Sequence, residues 1–129
     1  MRKIKFRGKK IFGGEDVYGD LIQFGNRSFI ADGWLINAEE DCFDMFDCEC
    51  VYEVIPETVS EFTGIINYGK QEIFENDIVR TTRVHGNRVG KVCFDKGEFY
   101  IFVRDYGILP ITTSVTVIGN IFRNPEIYV

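Results

Sequence analysis

Four cysteines and one histidine are the residues of this 129-residue chain best suited to hold a metal or attack a substrate. Cys42, Cys48, Cys50 and Cys93 could supply four thiolates, or three with His85. Structural zinc sites favour Cys-x-x-Cys knuckles, because two intervening residues turn both sulfurs toward one ion. The closest pair here is Cys48-Glu49-Cys50, with a single residue between. On a strand those two side chains share a face and reach one metal only with strain. The spacing therefore favours four reduced thiols, with Cys93 a small core residue. His85 stands in a turn with Gly86 and Asn87, without the orienting acid and nucleophile that a catalytic imidazole needs. There is no Gly-x-Ser-x-Gly elbow, no G-x-x-x-x-G-K-[ST] loop and no G-x-G-x-x-G turn. Carboxylates are plentiful, but acid–base work needs two of them in different environments, which abundance alone does not supply. The chain is expected to be non-enzymatic, with no catalytic group, no metal and no cofactor.

A second kind of chemistry is binding. Cations and aromatic residues interleave along Arg88-Val89-Gly90-Lys91-Val92-Cys93-Phe94 and Phe99-Tyr100-Ile101-Phe102-Val103-Arg104. Small β-barrels use such surfaces to stack single-stranded bases while cations meet phosphates. Arg80, Arg83, Arg88, Lys91 and Lys96 form the candidate nucleic-acid set. The plainer reading is that these aromatics fill a core. Net charge is −5, which argues against generic duplex binding. That balance hides a split. Residues 1–10 hold six cations and no acid, while residues 28–69 hold ten acids and no Lys or Arg. The split suggests electrostatic docking between copies of the chain, or simply basic strands lying beside an acidic segment.

The elements that must position these residues read mostly as strands. The composition is 45% apolar and 15% aromatic, enough to fill the core of one domain and too apolar for a disordered chain. Lys3–Arg7 alternates polar and apolar, Gly13-Gly14 turns, and Val17–Ile22 follows as a second strand. Ser28–Ala31 and Trp34–Ile36 flank an Asp32-Gly33 hairpin signal. Residues 39–50 read as an acidic loop or short helix. Val51–Ile55 is a strand stopped by Pro56, Thr58–Phe62 is ambiguous, and Gly64–Gly69 is a turn. Ile78–Val84 and Arg88–Phe94 form a hairpin, and Phe99–Val103, apolar throughout, is expected to be covered on both faces. Thr112–Phe122 reads as a last strand, and Asn124-Pro125-Glu126 as a capped helical turn. No stretch approaches the roughly 20 apolar residues of a membrane helix, and the basic opening lacks the apolar block of a secretory signal. A cytoplasmic protein without membrane contact is the expectation.

Three blocks of sequence resemble the YopX family of phage and prophage proteins. The first is Met1–Gly8 with Val17–Ile22. The second is Val54–Val59, Phe62-Thr63-Gly64 and Gly69–Val79, and the third is Val117–Glu126. They fall in order and frame almost the whole chain. Asn76 stands where the family pattern has glycine, a substitution a left-handed turn tolerates. Glu39–Cys50 matches nothing in the pattern and looks like a variable loop. The resemblance implies a phage or prophage protein acting in a bacterial cytoplasm. It also implies a mainly β fold containing a small SH3-like barrel, and it transfers no catalytic residue. The resulting expectation is one YopX-like domain with N-terminal strands (1–63), a barrel-like unit (64–129) and short helical turns. Asp77 is read as structural, bonding backbone amides at the start of a strand. The first functional reading is a non-enzymatic interaction module that self-associates into a homo-oligomer, with a protein or nucleic acid of phage or host as a further partner. The alternative is a nucleic-acid-binding accessory protein using residues 80–96.

Overall fold

A buried aspartate organises the best-defined turn. In the computed structural model, which describes residues 3–32, 51–82 and 86–128, Asp77 is only 1% exposed, and its Oδ2 accepts the Phe74 amide at 2.8 Å. Asn76 before it has φ 70°, the left-handed conformation that asparagine tolerates better than most residues. Its amide donates to the Val92 carbonyl at 2.8 Å, and its carbonyl accepts the Ile121 amide at 3.0 Å. One turn thus ties down two distant stretches of chain.

The chain divides into two units, Lys3–Glu61 and Phe62–Val129. In the first, strands β1 (Phe6–Lys9), β2 (Asp16–Phe24), β3 (Arg27–Ala31) and β4 (Val51–Val54) form consecutive antiparallel pairs. Ser60 and Glu61, which open β5 (Ser60–Ile66), lie on the other side of β1. The sheet curls far enough for the end of β4 to meet the end of β1. The Ile55 amide donates to the Lys9 carbonyl at 2.8 Å, and the Ile11 amide to the Glu53 carbonyl at 3.1 Å. Pro56 opens a 3-10 turn (Pro56–Thr58), where its missing N–H costs nothing. The Thr58 hydroxyl accepts the Lys9 amide at 2.9 Å and donates to the Ile55 carbonyl.

In the second unit, the rest of β5 pairs with β6 (Glu72–Phe74). Strands β7 (Asp77–Thr81), β8 (Arg88–Asp95), β9 (Glu98–Val103), β10 (Gly107–Leu109) and β11 (Thr116–Asn120) form an antiparallel sheet in the order β10-β9-β8-β7-β11. Ile73, Val79, Val92, Ile101, Val103 and Val115 make its core. The register sets Val79, Gly90 and Val103 in one row, with Val92 beside Ile101 in the next. Position 90 has no room for a side chain: a Cβ there would lie 2.5 Å from Ile101 Cγ2 and 2.9 Å from the Phe102 carbonyl oxygen.

The mainly β expectation holds, and the chain ends in a short 3-10 turn, Pro125–Tyr128. The Asn124 carboxamide faces the Asn120 amide behind it, while its backbone carbonyl accepts from Ile127. Three expectations need correction. The sheet of the second unit has β10 and β11 as its ends, so its strands do not close into an SH3-like barrel by backbone pairing. The Gly64–Gly69 turn is narrower than expected, because β5 runs on to Ile66 through an irregularity in its pairing. Strand β9 is covered on one face only, with Phe102 42% exposed. Trp34–Ile36, residues 39–50, Arg83 and His85 lie outside the described residues.

Asp77→Ala removes the carboxylate that accepts the Phe74 amide and should cost on the order of 1–3 kcal/mol. Asn76→Gly, already suited to the left-handed φ, should stay within about 0.5 kcal/mol of wild type. Urea midpoints at constant slope check both.

Candidate functional site

Alternation along β7–β10 gives the five-stranded sheet a second face opposite its core. Ile108, Phe102, Lys91 and Ile78 form one row of cross-strand neighbours on that face. Arg80 lies beside Val89 in the next row, and Cys93 beside Tyr100 on the other side. Arg104 follows β9, its guanidinium 5.5 Å from the centroid of the Tyr128 ring. The Tyr128 hydroxyl donates to the Phe102 carbonyl at 3.4 Å, which sets that ring on the same face. The result is a patch of three cations, Arg80, Lys91 and Arg104, with exposed Phe102 and Ile108 and half-buried Tyr128. Acids gather at its far end, where Asp95 opposes Glu98.

The five cations singled out by sequence do not all meet. Arg80 and Lys91 share the patch. Arg88 falls on the alternate side of β8, over the Tyr106 ring at 4.7 Å. Lys96 occupies the β8–β9 turn with φ 52°, beside the acidic end. Arg83 is outside the described residues. Arg104 and Tyr128 complete the patch and escaped the sequence reading as site residues. Strand alternation carried forward from Phe102 marks Arg104, but nothing local in the sequence marks Tyr128.

Cys93 lies half-buried on this face, its thiol 3.7 Å from the Lys91 carbonyl. Burial pushes the thiol up from its ordinary range, against a smaller opposing pull from the Lys91 ammonium. Cys42, Cys48, Cys50 and His85 fall outside the described residues, so their meeting with Cys93 is not placed. Among the described residues no group of three or more His, Cys, Asp or Glu is arranged to hold a metal ion.

The first unit has its own concavity, a groove of about 570 Å³ along β2. Asp16, Asp20 and Asp32 line it together with Lys3, Lys5, Tyr18 and Tyr52. Lys5 Nζ lies 5.8 Å from the Tyr18 ring centroid. Two ion pairs lie within this unit. Lys10 meets Glu15 at 3.2 Å, and Arg27 grips Glu53 with two hydrogen bonds of 2.9 and 2.8 Å. The Arg27 hydrogen bond holds the Glu53 carboxyl below its usual range and raises the guanidinium in turn. Neither pair joins a cation of residues 1–10 to an acid of residues 28–69.

The family model described as YopX protein matches residues 5–128. The chain belongs to the YopX family. The match takes in the sequence blocks described above from residue 5 onward. A crystal structure of protein EF1440 from Enterococcus faecalis is similar to this YopX chain in fold, with a TM-score of 0.58. The two are 20% identical, and the match covers 100% of each chain. No curated protein matches the sequence. Among the described residues no helix is long and apolar enough to cross a membrane, which says nothing about strands.

A thiol held in its protonated form reacts slowly. Cys93 should alkylate with iodoacetamide more slowly than a free cysteine at neutral pH. Its rate should rise only at higher pH than for the free amino acid, as read by peptide mass mapping. A rate equal to the free thiol's contradicts the burial account.

Proposed function

We propose that this YopX chain is a non-enzymatic binding module, and that single-stranded nucleic acid is the ligand of its outer sheet face. The observation that carries the reading is the gathering of Arg80, Lys91 and Arg104 around exposed Phe102 on one side of β7–β9. Guanidinium and ammonium groups meet phosphates, and an exposed ring on a sheet offers a platform for a base. These groups bind and stack; none is a nucleophile paired with a base. The acidic end at Asp95 and Glu98 limits the cationic footprint to a short strand segment, as a net charge of −5 requires. Self-association into a homo-oligomer is the other reading. It draws on the charge split, and part of that charge is already matched within the first unit, at Lys10–Glu15 and Arg27–Glu53. A phage or prophage origin and a bacterial cytoplasm fit a small family of this kind and belong to the same proposal.

Fluorescence anisotropy with labelled single-stranded and duplex oligonucleotides, titrated at several salt concentrations, tests the reading. Binding should favour the single strand and weaken with salt. The double substitution Arg80→Ala with Lys91→Ala should flatten the log–log salt slope by about 1.4, at ~0.7 per phosphate contact. Phe102→Ala should weaken binding by about 1–3 kcal/mol with the slope unchanged. No salt-dependent signal at low ionic strength removes the nucleic-acid reading.

A further inference from the structure

Strand β11 ends the five-stranded sheet, and its surroundings are unusual for an edge. Residues 106–122 contain no charged side chain. Seven of the eight residues from Ile111 to Ile118 are β-branched, the exception being Ser114. An uncharged, β-branched strand at a sheet end is a template for pairing with another chain. Edges of this kind are ordinarily guarded by lysine, proline or a covering element. Here neither lysine nor proline lies within β11.

The guard is made of carboxamides. The Val117 amide donates to Gln71 Oε1 at 3.1 Å, and Gln71 Nε2 donates to the Val117 carbonyl at 3.2 Å. A side-chain amide carries the same donor and acceptor as a peptide. Gln71 therefore satisfies Val117 as a residue of a neighbouring strand would. Asn67, 5% exposed, extends the pattern by donating through Nδ2 to the Val115 carbonyl at 3.0 Å. It also fixes Gln71 from both ends: its Nδ2 is 2.7 Å from Gln71 Oε1, and its Oδ1 accepts the Gln71 amide at 2.8 Å. Past the β11 irregularity, Asn124 approaches the Asn120 amide at 3.4 Å, across a position where a Cβ on Gly119 would lie 2.6 Å from its Oδ1. Gln71 itself is exposed, so an incoming strand can reach its place.

We propose that Gln71, positioned by Asn67, blocks a strand-addition surface on β11, and that the partner this surface fits is β11 of a second copy. Two copies of one strand pair antiparallel about a two-fold axis with identical edges, and the uncharged run sets no like charges against each other. The surface is independent of the basic patch on β7–β9, and its test does not depend on ligand binding.

The test compares wild type, Gln71→Ala and Gln71→Lys by light scattering coupled to size exclusion over a range of concentrations. Both variants lose the carboxamide, so any loss of stability from it is common to them, but lysine adds a charge at the edge. Gln71→Ala should self-associate at least about tenfold more tightly than wild type. Gln71→Lys should not exceed wild type. Hydrogen exchange should show the Val117 amide of Gln71→Ala protected more strongly at high protein concentration than at low. Equal association by both variants, or no gain over wild type by Gln71→Ala, overturns the proposal.

Discussion

The two-sidedness of the β7–β9 sheet is the constraint on which the rest depends. Val79, Val92, Ile101 and Val103 are buried on one side, and the strand period is two. A slip of one residue in pairing would drive Lys91 and Phe102 into the core and expose Val92 and Ile101 to water. At about 1.5–3 kcal/mol for each large apolar side chain, that exchange is prohibitive. Burial therefore fixes the register, and the register alone decides which cations can act together. Arg80 and Lys91 are neighbours for this reason, and Arg88 is excluded from their face for the same reason.

Much of the architecture was legible in the sequence because it is written in short-range patterns. The Gly13-Gly14 turn and the β-branched run after Pro110 each mark an element through local propensity, whereas the Lys3–Arg7 alternation misplaces the first strand, which runs Phe6–Lys9 with Ile4 exposed and Arg7 buried. Asn76 and Asp77 were legible too, since a left-handed residue before a strand-opening aspartate has few other uses. The parts that could not be read depend on contacts between distant segments. Nothing near Gly107–Leu109 signals a strand, because three residues acquire that geometry only by pairing with β9. The apolar run of β9 looked buried on both sides, but Phe102 remains partly in solvent on the side that the Tyr128 ring reaches.

The candidate site was half legible. Interleaved cations and rings pointed to β8 and β9, and strand parity would have removed Arg88. Tyr128 joins the patch through a hydrogen bond to Phe102, 26 residues away, which no window of sequence can reveal. The unit built from β1 to β4 shows the opposite case. There Arg27 and Glu53 also lie 26 residues apart, yet the register Phe29↔Glu53 brings their strands together and makes them an ion pair.

The double tether of the Asn76 turn has a bearing on the order of assembly. Strands β7 through β10 are joined to their neighbours by connections near in sequence and can zip up one after another. The contact between Asp77 and Asn120, and the bond from Ile121 to Asn76, span a far longer loop. Closing it carries a larger entropic penalty and comes late. On a ribosome this stitch cannot be made until Ile121 has emerged, 45 residues after Asn76.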